Sequence, residues 1–396
     1  MLVTVPHQID RSSRAVSCPK QESASPSGIA LVGLGLNSYI NPNVAEALQR
    51  AFSRYQIDWI DLGPLVMRRK LMPFLLWSYT TIEFAREVGL NARQLKRRRH
   101  WTTYLFKQRS LTASEQIAKS QYLFSVQIQS TFDASVAGLP HFVYTDNTML
   151  ANLQYKAARK ADLPVTHQWI AQERRLYQNA RACFVMSHNV GRSLVKDYGC
   201  AQDKVVCVYS GHNVPIQVNP EKKYDQKNIL FVGVDWERKG GPELLAAFRL
   251  VRERIPDATL TIVGCSPQIE EPGCQIVGRV APSDLGRYYA EASVFCMPTR
   301  QEPFGIVFVE AMAHHLPIVA TDVGAIPDFL SNGHNGFRIA PGDIQGLAHA
   351  LIHLLRNPPL CRQMGEHSHA VSKIYTWDNV AATMRTVIQR FVPGVA

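Results

Sequence analysis

Residues 299–329 read TRQEPFGIVFVEAMAHHLPIVATDVGAIPDF. Glu302 and Glu310 stand eight positions apart in it, with Pro303, Phe304 and Gly305 between them. Gly305 opens an apolar helical pattern, IVFVEAMAHH, so the amides of Phe304 and Gly305 are expected at a helix N-terminus, where negative charge is stabilised. The short apolar run LPIVATD that follows reads as a buried strand. Two carboxylates flanking such a turn are either a solvated helix edge or a grip on the hydroxyl groups of a bound nucleotide.

Working outward, NILFVGVDWERKGGPELLAAFRLVRERIP (228–256) gives strand, loop and helix, and ATLTIVG and ASVFCMP give further strands with helical patterns between them. After the strand that ends near Gly233, the loop DWERKGG carries Arg238 and Lys239 side by side, with Gly240-Gly241 opening the next helix. A strand end feeding a helix N-terminus is where such sheets hold anions. Upstream, GIALVGLGLNSYINPNVAEALQRAF (28–52) reads as a buried strand, Ile29–Val32, then a glycine turn holding Gly33 and Gly35, then a helix from about Pro42. HFVYTDNT (141–148), ACFVMSHNVGRSLVKDYG (182–199) and KVVCVYSGHN (204–213) repeat the strand-and-turn pattern. Short apolar strands alternating with helices mean parallel sheets with crossover helices. The alternation runs twice, with a polar break inside 215–226. The expected architecture is therefore α/β, with two Rossmann-like, doubly wound domains facing a cleft, over residues 29–215 and 216–375.

The chain has 396 residues, 46% hydrophobic and 19% charged, as an ordinary globular protein of two domains would. No apolar run approaches the ~20 residues of a membrane-spanning helix. Residues 1–28 are polar and lack an apolar core segment, so they read as a disordered leader rather than a signal peptide. The eight cysteines form no Cys-x-x-Cys pair, which argues for reduced thiols and against zinc or a disulfide framework. The net charge of +11 is uneven: residues 1–215 hold 26 Lys and Arg against 14 Asp and Glu, while 216–375 hold 15 against 17. An anionic partner is expected to meet the first half.

The stretch Glu302–Asp322, the Arg238-Lys239-Gly240 loop and the closing Trp377-Asp378 pair resemble, in that order, the motifs of the retaining glycosyltransferases of family 4, which have the GT-B fold. The resemblance covers about residues 140–390 well and 29–60 loosely. It departs at His315 and Ala325, where that family usually has glycine. It implies transfer of a hexose from a UDP- or GDP-linked sugar with retention of configuration. Arg238, Lys239 and the Phe304-Gly305 amides would take the charge of the leaving diphosphate, Glu302 would position sugar hydroxyls, and Glu310 would accept from the ribose. Side-chain cations would then replace a metal ion, and no Asp-x-Asp pair stands near them. Gly33-Leu34-Gly35 resembles the family's phosphate- and acceptor-facing glycine loop. Where several relatives have a sugar-contacting histidine, this chain has Asp146. Either Asp146 takes over that contact or the role lies elsewhere, with His141 and His188 as nearby alternatives. The last helix, 376–396, is expected to pack back on the first domain, as in relatives.

Residues 66–109 hold eleven Lys and Arg against Glu83 and Glu87, interleaved with Phe74, Trp77, Tyr79, Trp101, Tyr104 and Phe106. A basic, aromatic segment too short to span is what membrane-surface segments look like, and no known nucleic-acid motif is present. The leading expectation is a cytoplasmic enzyme, peripheral at the inner membrane face, with a lipid, lipid-linked or polysaccharide acceptor. The alternatives are a transferase for a soluble small molecule, and a non-catalytic polyanion- or membrane-binding protein of the same fold.

Overall fold

The computed structural model describes residues 28–35, 40–155, 166–216 and 222–395. The expected leader, apart from Gly28, lies outside the described residues, as do positions 36–38 of the glycine loop and 217–221 of the polar break. The first sheet is built from β1 (Gly28–Gly33), β2 (Gln56–Asp61), β3 (Tyr122–Ile128), β4 (His141–Thr145), β5 (Ala182–Val185) and β6 (Val205–Cys207). The second is built from β7 (Asn228–Val232), β8 (Thr259–Val263), β9 (Cys274–Gly278), β10 (Val294–Met297), β11 (Ile318–Thr321) and β12 (Gly336–Ile339). Their orders are β2-β1-β3-β4-β5-β6 and β12-β11-β10-β7-β8-β9, with every strand pairing parallel. Each sheet thus winds outward from its first strand in two directions. The loops after β1 and β3, and those after β7 and β10, diverge and leave a crevice at the carboxyl end of the sheet.

The central strands are continuous apolar runs because helices cover both faces: β1, β4, β5, β10 and β11 are buried at every position. Sequence reading passed over β2, β3, β9 and β12. β2 and β9 are edge strands with exposed positions, and β3 carries buried Ser125 and Gln127. Those polar groups are satisfied locally. Ser125 Oγ pairs with His141 Nδ1 at 2.8 Å, and the Gln127 amide donates to the carbonyls of Gln129 and Phe132. Hydroxyl caps then start the crossover helices: Thr148, Thr166, Ser187 and Thr376 each accept from the amide three residues on.

Between β2 and β3 the chain inserts four helices, Leu62–Met67, Met72–Val88, Ala92–Arg98 and Thr103–Ile117. They contain the basic, aromatic segment. Among the described residues no helix is long and apolar enough to cross a membrane.

The chain leaves the first domain after β6 and returns to it through the helix Trp377–Phe391, which packs on the helix Ile40–Ala51. Arg50 and Asp378 pair across that contact at 2.7 Å. The two crossings touch one another: His212 N–H donates to the Tyr375 carbonyl at 3.3 Å and the Trp377 indole donates to Asn213 Oδ1 at 3.1 Å. Glu310 completes the junction from the second domain. Its carboxylate accepts from the Asn213 amide at 3.1 Å and from the Tyr289 hydroxyl at 2.9 Å, and burial pushes its pKa up to about 7. The folded protein therefore keeps the Glu310 proton through a range, about 4.5 to 7, in which the unfolded chain has released it. The associated stability is fully present below the lower value and is lost as pH rises through the upper one, roughly 3 kcal/mol in all. Urea denaturation at pH 4.5, 5.5 and 7 is expected to show this loss in wild type and a flatter profile in Glu310→Gln. Parallel profiles would mean that Glu310 holds no extra proton.

Candidate active site

β7 and β10 are neighbours, so the loops Gly233–Gly240 and Pro298–Gly305 face each other where the second sheet changes direction. The first loop is folded by Asp235, whose side chain accepts from the Arg238 amide at 3.1 Å and whose carbonyl accepts from that of Lys239. The second is tied to it: Arg300 N–H donates to the Arg238 carbonyl at 2.9 Å, and the Arg238 guanidinium donates to the Gln301 carbonyl at 3.2 Å. Lys239 then runs over Gly233, where a Cβ would come within 3.2 Å of its Cγ. Its ammonium meets Glu302 Oε2 at 2.5 Å, and both side chains are nearly enclosed, at 11% and 4% exposure. The two charges expected at phosphate and at sugar thus form one buried ion pair.

Gly305, at φ +92°, starts the helix Ile306–Ala313, and a side chain there would strike Phe308 and Glu302. Gly324, at φ +57°, lies so close beneath Glu302 that a Cβ would stand 2.0 Å from the Glu302 carbonyl oxygen, which accepts instead from the Ala325 amide. At the two departures from the family pattern, His315 holds the left-handed conformation (φ +59°) that favours glycine and stacks on His369, while Ala325 is a buried residue in ordinary helical geometry. Phe304 is buried and packs against Phe329 and Tyr375, so its contribution to the site is backbone and shape. Glu310 faces the domain junction, with an oxygen given to each of two donors.

From the first domain, Asp146 follows β4. Burial pushes its carboxyl pKa up and the Glu302 charge adds to the rise, which puts the two acids within electrostatic reach across the cleft. Tyr155 bridges: its hydroxyl donates to the Glu302 carbonyl at 3.1 Å. Asn152 Oδ1 bridges too, accepting from Asn147 beside Asp146 and from Gln301 beside Glu302. A cleft of about 570 Å³ between the domains is lined by Tyr155, Asn189, Arg300, Asp322 and Gly324 among others; Arg238, Lys239, Glu302 and Glu310 stand outside that lining. Sequence reading missed Asn152, Tyr155, Gln301 and Asn213, because each acts through a partner about a hundred residues away or more.

The two alternative histidines separate from Asp146. His141 is buried against Ser125, and burial pushes its pKa down to about 4, so it is a neutral core residue. His188 is exposed at the domain boundary, where its amide donates to Asp328 at 2.7 Å. Among the described residues one trio, His188, Cys207 and Asp328, brings metal-ligating atoms within 4.8 Å of one another. Of the glycine loop, Gly33 lies against Trp59, and the Gly35 amide donates to Asp61.

The basic segment divides into core and surface. Leu71, Phe74, Trp77 and Ile82 are exposed by 45 to 75% and fall within an arc of roughly 140° on one helix face. Arg68, Lys70, Arg86, Arg93, Lys96 and Arg97 of the same segment are exposed as well. Other residues of the segment belong to the interior, Phe84, Leu95 and Phe106 among them. Leu76 is a core side chain, and Arg98 is buried in an ion pair with Glu87 and over the Phe84 ring.

Residues 226–357 match the family described as glycosyl transferases group 1. The chain is 36% identical over 174 residues to a phosphatidyl-myo-inositol mannosyltransferase of Mycobacterium leprae, covering 41% of this chain and 46% of that protein. It is 27% identical over 255 residues to a D-inositol 3-phosphate glycosyltransferase of Corynebacterium aurimucosum, covering 57% and 61%. The chain spans about half the length of the curated relatives it matches. Among solved structures it is similar to a sucrose-phosphate synthase from Thermosynechococcus elongatus, with a TM-score of 0.68 at 19% identity over 92% of this chain and 99% of that one. The stretch that matches glycosyl transferases group 1 thus makes up most of the second domain, and the two parallel six-stranded sheets with their helices are those of the GT-B fold.

Proposed function

We propose that this chain is a retaining glycosyltransferase of family 4 that moves a hexose from a UDP- or GDP-linked donor to a lipid, lipid-linked or polysaccharide acceptor at a membrane surface. The observation that carries the reading is the buried Lys239–Glu302 pair at the direction change of the second sheet, with Asp146 facing it from the first. An ammonium has three donors, so Lys239 can hold Glu302 and still offer two to the diphosphate. Arg238 and the Gly305 amide add positive potential where charge grows on the leaving group. Glu302, its rotamer fixed by Lys239, would hold sugar hydroxyls in the reactive orientation. Glu310 uses two of about four acceptor positions, which leaves capacity for ribose hydroxyls. Asp146 would contact the transferred sugar from the acceptor side. These cations do the work a divalent metal would otherwise do.

The test is turnover of a panel of nucleotide sugars with membrane lipid extract, read as released nucleotide and new glycolipid. Wild type is expected to turn over in excess EDTA. Glu302→Gln is expected to lose at least ~100-fold in kcat, about 2.7 kcal/mol of transition-state stabilisation, with the fold intact by circular dichroism. Near-wild-type turnover in that variant would remove Glu302 from the site, and activity restored only by Mg2+ or Mn2+ would overturn the metal-free reading.

The membrane reading rests on the exposed Leu71, Phe74, Trp77 and Ile82 stripe and on the exposed cations of the same segment. Each basic residue near an anionic surface contributes about 1 kcal/mol at low salt. Replacing Arg68, Lys70, Lys96 and Arg97 with Gln is expected to weaken sedimentation with anionic vesicles strongly and to leave donor hydrolysis unchanged. Phe74→Ser with Ile82→Ser is expected to remove the fraction that stays bound in 1 M salt, where the Debye length is about 3 Å. Equal partitioning of wild type and both variants would favour a soluble acceptor instead.

A further inference from the structure

Three side chains that the donor reading leaves unused converge where the domains meet. His188, at the start of the helix His188–Lys196, and Cys207, the last residue of β6, come from the first domain. Asp328, in the short helix Ile326–Phe329, comes from the second. An imidazole nitrogen, the thiol sulfur and a carboxylate oxygen all lie within 4.8 Å of one another, and His188 Nδ1 and Asp328 Oδ2 are 3.5 Å apart. Ligand atoms around a tetrahedral zinc ion stand about 3.3–3.8 Å apart, because its bonds are about 2.0–2.3 Å long. One pair already has that spacing, and the thiol needs to close by about 1 Å at most.

The surroundings hold these groups in place. Asp328 Oδ2 accepts the His188 amide at 2.7 Å, and the Asp328 carbonyl accepts from the Tyr375 hydroxyl at 3.2 Å. A carboxylate has about four acceptor positions, so capping that helix leaves capacity for a cation. Tyr209, held at φ +59°, turns the chain just beyond Cys207 and brings its hydroxyl to 3.5 Å from His188 Nδ1. The Asp328 side chain is enclosed at 7% exposure, whereas the His188 side chain is 57% exposed and leaves an entry path. Capping accounts for Asp328, and an ordinary ion pair would account for His188, but neither calls for a free thiol beside them. Nitrogen, sulfur and oxygen donors together suit zinc, where Mg2+ and Ca2+ take oxygen alone. No Cys-x-x-Cys spacing announces such a site, since its ligands stand at 188, 207 and 328.

We propose that His188, Cys207 and Asp328 bind a zinc ion, with water at the fourth position, and that the ion pins the two domains in the arrangement of this structure. On binding, the thiol gives its proton to solvent, and the thiolate, imidazole nitrogen and carboxylate oxygen donate to the metal without any change of oxidation state. The ion takes no part in sugar transfer. It acts through position, because donor entry and product release need the domains to part, and the zinc bonds span the boundary between them. Zinc binding stands apart from the transferase reading; only the braking of turnover rests on it.

Zinc displacement from a chromogenic chelator, on reduced full-length protein, tests the site without requiring turnover. Wild type is expected to take up one zinc ion per chain, and His188→Ala and Cys207→Ser to bind it at least ~10-fold more weakly. His188→Ala removes a mostly exposed side chain and is expected to fold like wild type by circular dichroism. His367→Asn with His369→Asn breaks the two stacked histidine pairs of the helix Pro358–Ser372, the obvious adventitious zinc ligands, and is expected to bind like wild type. Cobalt(II) is expected to give a thiolate charge-transfer band in wild type and none in Cys207→Ser. Zinc is also expected to slow hydrogen exchange of the amides at 209–213 and 375–377 in wild type and not in His188→Ala. The site is overturned if wild type takes up no zinc, if His188→Ala and Cys207→Ser keep its affinity, or if the double histidine variant loses it. Zinc held by the three residues without slower exchange overturns the pinning. With a donor that turns over, zinc is expected to lower kcat reversibly in EDTA, and the ratio of the two rates to return to one in His188→Ala. Zinc uptake that depends on His188 and Cys207, with no turnover of any nucleotide sugar, would sink the transferase reading and leave the site standing. Turnover indifferent to bound zinc would do the reverse for the brake.

Discussion

A lysine and a glutamate enclosed at 11% and 4% exposure, 2.5 Å apart, set the terms for everything around them. Removing either from such a pair strands the other as a buried charge, which costs about 3–5 kcal/mol. The surroundings are built to hold both. Lys239 reaches Glu302 because β7 and β10 are adjacent although about sixty residues separate them in sequence. That adjacency is a property of the winding order, not of either loop. Gly324 allows the chain after β11 to press against the Glu302 backbone, and the Ala325 amide then satisfies its carbonyl. The pair is a charge arrangement that the sheet order and the close backbone packing around it hold in place.

The inserted helices answer a different requirement. Their interior is ordinary: Leu76, Phe84 and Leu95 pack, and Arg98 is folded inward onto Glu87. What remains outside is unusually apolar for a surface bearing so many cations. One side of the insertion offers Phe74 and Ile82 to the exterior, while another delivers Arg109 and Trp101 to the crevice of the first sheet. The exposed apolar face and one wall of that crevice are thus carried on one structural unit.

Much of this was legible in the chain. Most central strands of the two sheets read directly because each is a buried apolar run, and Gly305 and Gly240 marked the turns at the site. The edge strand β9 gave no such signal, since four of its five positions are partly or fully exposed. β3 was hidden by Gln127, a buried polar residue whose partners lie in the following turn. A count of basic residues could not separate Arg98 from Lys96 and Arg97, because burial depends on the helix packed alongside. The site's charges were legible individually, but their pairing was not: Lys239 with Glu302, or Glu310 with Asn213, needs the sheet order and the domain junction to be known first.

The double crossing between the domains has a mechanical consequence. A single connecting strand is a tether, about which two bodies can swing and also twist. Here the outgoing stretch around Asn213 and the returning stretch around Tyr375 and Trp377 are hydrogen-bonded side by side, so together they act as a strap hinge. Rotation that opens and shuts the crevice bends both crossings alike and costs little, whereas twist would shear their mutual bonds. A paired crossing of this kind restricts relative movement of the domains to one arc, along which Asp146 keeps its alignment with the Lys239–Glu302 pair.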